Sequence, residues 1–109
     1  MSAPSCINFV GLRFPITNEE VEALEERRDA RQIEARNAGL KTYWGNFGVE
    51  SPQYALFIGT QLGSLGPEDQ SSLSITADEL AGIAERTSSQ LASTTMRGAV
   101  GLHIEFHPD

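Results

Sequence analysis

The chain is poor in the residues that build reactive or ligating sites. Its 109 residues include one cysteine, two histidines and one tryptophan. A single cysteine, Cys6, excludes a disulfide within the chain and fits a reducing compartment. In the apolar run where it sits, Cys6 reads as a small buried hydrophobe. One cysteine and two histidines are also too few for a four-ligand structural zinc site in one chain. Basic residues are scarce: 8 Lys and Arg stand against 15 Asp and Glu, a formal net charge of −7. That balance opposes binding to nucleic acid through its phosphates. Beyond residue 40 the cations are Lys41, Arg86 and Arg97 alone, so the acidity concentrates in the second part of the chain. It favours solubility and would speed encounter with a basic partner. No apolar run approaches the roughly 20 residues of a membrane span, so no membrane partner is expected. The opening MSAPS has neither the basic region nor the apolar core of an export signal, and a cytoplasmic location is expected. A Gly-rich phosphate loop, a nucleophile elbow and an HExxH pair are all missing. No catalytic residue is assigned and no cofactor is expected.

What the chain does have is concentrated in Lys41 to Leu62, KTYWGNFGVESPQYALFIGTQL. This stretch holds the tryptophan, both tyrosines, and Phe47 and Phe57. Two β-type runs flank a Glu50-Ser51-Pro52 break and read as two strands and a loop. Tyr43 and Trp44 are adjacent and must face opposite ways, as must neighbours in Leu56-Phe57-Ile58. Both faces of the sheet therefore carry apolar groups.

Around this pair the chain sets out its other elements. Cys6 to Phe14 reads as a first strand, closed by Pro15. Thr17 with Glu20 forms a capping box, and Ile16 with Val21 a hydrophobic staple. Ile33 lies nine residues beyond Leu24, which puts it on the opposite helical side. Asp29 with Gln32 offers a second cap. The spacing thus predicts a break near Arg28-Asp29 and a second helical piece ending at Ala38. Gly39 then supplies a left-handed position and Leu40 folds back on the helix end. After Leu56–Gly59, Thr60-Gln61 is expected to turn the chain into a short return segment, Leu62 to Leu65. Gly66-Pro67-Glu68-Asp69 reads as a turn, and Ser71–Ile75 as an extended lead or short strand. Thr76 with Glu79 repeats the first cap, opening a helix that reaches about Ser93. Leu102 to His107 alternates strictly as a last strand.

Strand, helix, strand, strand, helix, strand is the order of an α+β, ferredoxin-like split βαβ sandwich in one domain. Two helices would cover one face of an antiparallel sheet, with the last strand beside the first at an edge and one extra short strand after the third. Apolar residues on the uncovered face imply homodimerisation through the sheet or a protein partner. Tyr43, Trp44, Phe47 and Phe57 are the candidate ligand- or partner-binding residues.

His103, Glu105 and His107 share one strand face at spacings that suit a divalent metal. Leu102, Ile104 and Phe106 are expected to point into the core, which makes the His-Glu-His face the solvated one, and no metal is assigned. Arg27, Arg28, Arg31 and Arg36 sit among carboxylates at helical pairing distances and read as a salt-bridged helix surface. No strand carries the basic-aromatic motif of RNA-recognition domains. Phe14-Pro15-Ile16 lacks the anion-cradling form of the acylphosphatase loop. The leading expectation is a small acidic non-enzymatic domain that acts by binding a partner protein, as an inhibitor, immunity or regulatory protein would. The second is a dimeric ligand-binding or enzymatic α+β domain, with Trp44, Tyr43 and His103 lining a pocket between sheet and helices.

Overall fold

The computed structural model describes residues 4–108. Its elements are β1 (Ser5–Ile16), α1 (Asn18–Glu25), α2 (Ala30–Asn37), β2 (Lys41–Asn46), β3 (Tyr54–Leu65), α3 (Ala77–Ala92) and β4 (Gly101–His107). The four strands form one antiparallel sheet in the order β2-β3-β1-β4. The molecule is α+β, with three helices, and its architecture is compatible with the ferredoxin-like expectation.

All three expected helix starts are present. Thr17, Asp29 and Thr76 are the N-caps of α1, α2 and α3. α1 and α2 are separate helices because the chain stops and restarts between them. At the end of α1 the Arg28 N–H donates to the Ala23 carbonyl at 2.9 Å, and Arg27 adopts a left-handed φ of 59°. The same closing motif ends α2, where Leu40 N–H reaches the Ala35 carbonyl at 2.8 Å and Gly39 takes a φ of 79°. Gly39 adopts that conformation freely; Arg27 does so against its Cβ.

Leu24 of α1, Ala35 of α2 and Leu91 of α3 pack with Leu12, Ile16, Leu56 and Ile58 in one core on one sheet face. α3 is also tied polarly to β3: Thr60 and Thr87 hydroxyls meet at 2.6 Å, and Thr87 donates to the Ile83 carbonyl.

β1 and β3 are longer than expected. β1 continues through Pro15, paired with Ala55. β4 accompanies β1 only over residues 5–11, so near Pro15 one side of β1 has no strand against it. A proline lacking an N–H is tolerated on such a free side. β3 likewise runs without a turn to Leu65. Leu62 is the extra residue of a bulge, since Asn8 faces Gly63 and Phe9 faces Gln61. The expected return segment is therefore the second half of one strand. No strand forms over Ser71–Ile75.

The face without helices is not open. Ile7, Phe9, Phe47, Ala55 and Phe57 form a second buried cluster there, with Tyr43 against it. The expectation of an exposed apolar sheet face is overturned by sheet coiling. β2 and β4 are opposite edges, yet the Tyr43 hydroxyl lies 3.2 Å from His107 Nδ1. At the strand spacing of about 4.8 Å a flat four-stranded sheet would hold its edges roughly 14 Å apart. The sheet curls strongly enough that its concave face closes on itself. Gly11 and Gly59, paired with each other, permit the curl. A Cβ at either would lie 2.0 or 2.1 Å from the carbonyl oxygen of Ile58 or Val10.

Candidate functional site

Three places bear on function: the concave cluster, a groove beside β2, and the outer face of β4. The concave cluster gathers most of the residues singled out from the sequence. Tyr43, Phe47 and Phe57 meet there with His103, Glu105 and His107; Trp44 does not. Phe47 crosses Phe57 edge-on at 5.4 Å, and Phe9 stacks on Phe57 at 5.6 Å. His107 lies 5.2 Å from Phe47 and edge-on to Tyr43 at 5.9 Å. Asn46 positions Phe47 by accepting from the N–H groups of Gly48 and Gln53, which closes the β2–β3 loop.

This corrects the sequence reading of β4. His103, Glu105 and His107 were expected on the solvated face and are half-buried; Leu102, Ile104 and Phe106 were expected in the core and are exposed. The cause is Arg13, which the sequence shows only as a charged interruption of the first strand, with no sign of its partner. It lies on the concave face of β1, 5.9 Å from the Phe57 ring, and forms a two-pronged salt bridge with Glu105. The pairing neutralises the inward carboxylate and sets which way the strand faces.

Each polar group of the cluster already has a partner. His103 Nε2 donates to the Gly11 carbonyl at 3.2 Å. Burial, with the Asp69 carboxylate adding to it, raises the Tyr43 phenol above its ordinary value, so it stays protonated beside His107. No buried side-chain nitrogen or oxygen lacks a hydrogen bond among the described residues. None of their His, Cys, Asp and Glu form a group of three placed to hold a metal ion. His103, Glu105 and His107 are engaged separately, by a carbonyl, a guanidinium and a phenol. The cluster works as a polar-edged core.

Trp44 faces the helix side, 6.3 Å from the Tyr54 ring. It lines an open groove of about 1070 Å³ between β2 and the α1–α2 break, with Arg27, Arg36 and Lys41 and the carboxylates Glu25 and Glu26. The pocket expected from Trp44, Tyr43 and His103 is not assembled, because Trp44 and His103 lie on opposite faces. The expected salt-bridged helix surface holds for Arg28 with Glu26 and for Arg31 with Glu20 and Asp29. Arg27, Arg36 and Lys41 make no salt bridge among the described residues.

β4 presents the third place. Leu102, Ile104 and Phe106 are 50%, 58% and 50% exposed. They form a continuous apolar stripe on an edge strand whose outer side pairs with no strand among the described residues. Alternation revealed the strand but carries no sign, so it could not tell which set of side chains faces in. The available signal was Arg13, a cation able to pair with Glu105 only if Glu105 turns inward.

No family model, curated protein or solved structure matches the chain. No described helix is long and apolar enough to cross a membrane.

Proposed function

We propose that this chain is a small acidic interaction domain of ferredoxin-like arrangement, which works by docking a protein on the outer edge of β4. The observation that carries the reading is the stripe Leu102, Ile104 and Phe106 on an unpaired edge. Natural edge strands are usually guarded by lysine, proline, bulges or unpaired inward charge. β4 has no lysine or proline between Gly101 and His107, and its inward charge, Glu105, is neutralised by Arg13. Exposed apolar side chains beside free backbone donors and acceptors form a surface suited to strand addition.

Pull-downs from the native host test this, with the wild-type chain and an Ile104→Lys variant as parallel baits. A protein retained by the first bait and lost from the second supports the reading. Identical sets of retained proteins contradict it.

The groove carries a second reading, a ligand-binding domain. Arg27, Arg36 and Lys41, which make no salt bridge among the described residues, line it with Trp44 beside Glu25 and Glu26, and Arg27 is held in a left-handed conformation where glycine would be easier. Strain of this kind gathers at functional sites. An anionic ligand with an aromatic part suits this lining, and titration calorimetry with an aryl carboxylate or aryl phosphate series tests it. Binding that Arg27→Gly weakens supports this reading; heats unchanged by the substitution contradict it.

A further inference from the structure

We propose that the partner completing the β4 edge is a second copy of this chain, paired β4 to β4 in antiparallel fashion about a two-fold axis at Ile104. The inference rests on the interaction reading above and names its occupant.

The argument begins with the strand itself, Gly101-Leu-His-Ile-Glu-Phe-His107. In an antiparallel pair, positions equidistant from the centre face each other. Centred on Ile104, Ile104 meets itself, and Leu102 of one copy meets Phe106 of the other, twice. The exposed stripes then become one apolar ladder on one face. On the other face His103 of each copy stands opposite Glu105 of the second copy, again twice. Each carboxylate therefore faces an imidazole, and no two carboxylates are set opposite each other, an arrangement that would oppose pairing.

Other registers fail on these terms. A centre lying between two residues sets inward side chains against outward ones and breaks the match of faces. A centre at Glu105 opposes two carboxylates. A centre at His103 opposes two imidazoles and leaves Phe106 and His107 beyond the paired region. Only Ile104 pairs all seven residues with like faces together and no like-charge contact.

The other edge of the sheet is less suited to self-pairing. β2 begins at the exposed cation Lys41, so a self-paired β2 edge would carry a charged end with no apolar stripe of the β4 kind. The proposed interface is isologous, so it closes at two copies with both β4 stripes used.

Cysteine cross-linking tests both occupant and register. The background is Cys6→Ser, so that the introduced thiol is the only one. Residues opposed in an antiparallel pair have Cα atoms roughly 4.5–5.5 Å apart, within disulfide range. Under mild oxidation Ile104→Cys should become a disulfide-linked dimer in high yield. Leu102→Cys alone should not, but its mixture with Phe106→Cys should. All three positions are exposed, and circular dichroism checks that each variant is folded. Light scattering should give a dimer for the wild-type chain at micromolar concentration and a monomer for Ile104→Lys.

A wild-type dimer that fails to cross-link through Ile104→Cys, or that links through Leu102→Cys alone, overturns the proposed pairing and leaves the interaction reading standing. A wild-type monomer that binds a hydrophobic dye, with binding lost in Ile104→Lys, overturns the second copy as occupant and leaves the stripe to a different protein. A monomer that binds no dye overturns both.

Discussion

Arg27 is the residue whose backbone and side chain want different things. Its φ of 59° suits glycine, so Arg27→Gly should stabilise the fold by about 1 kcal/mol, read as a higher midpoint in chemical denaturation. The two threonine caps are alike. Each hydroxyl donates to the glutamate three residues on, Thr17 to Glu20 and Thr76 to Glu79. Thr76 Oγ1 accepts from the Glu79 N–H at 3.2 Å, and Thr17 with Glu20 closes a capping box. Thr76→Ala and Thr17→Ala should each destabilise by about 0.5–2 kcal/mol; an unmoved denaturation midpoint in both would contradict this geometry. Asp29 carries a pH signature. Hydrogen bonding to Arg31, against some desolvation, holds its carboxyl below the ordinary value. Stability from this group is then present above an ordinary aspartate pKa of about 3.9 and is lost as pH falls through the lower folded value. Asp29→Asn should flatten the acid limb of a stability–pH curve without moving its neutral plateau upward.

At the scale of elements, the glycine pair that lets the sheet curl is the sharpest test. Gly59→Ala would put a Cβ against the Val10 carbonyl, and should either unfold the chain or separate Tyr43 from His107, seen as loss of near-ultraviolet dichroism. The helices were legible in the sequence because their signals are local. Thr17, Asp29, Thr76 and Gly39 each act within a turn, and the phase slip from Leu24 to Ile33 exposed the break between α1 and α2. The strands were legible as strands but not in length or facing. Pro15 and Thr60-Gln61 look like stops until the partner strand shows Pro15 at a free side and Leu62 in a bulge. The facing of β4 depends on Arg13, which is 92 residues from Glu105 in sequence, and only folding brings them together. The same coil placed Tyr43, Phe47 and Phe57 with the histidines and left Trp44 on the other face, a division that adjacency of Tyr43 and Trp44 required but could not orient.

At the scale of the whole molecule, net charge and the β4 edge make opposing demands. Each chain carries −7, so two copies repel as they approach. Added salt screens that repulsion, and self-association should tighten as ionic strength rises. Docking of a basic partner on the same edge would weaken instead, so the sign of the salt dependence separates the two occupants. The central claim is that β4 is an edge completed by another strand. Backbone amide hydrogen exchange across β4 measures this most directly, on the full chain at nanomolar and at high micromolar concentration. The outward amides of Gly101–His107 should become protected as concentration rises, while those of the opposite edge, Lys41–Asn46, stay unchanged. Exchange in β4 that is independent of concentration, or protection appearing equally at both edges, would contradict the account.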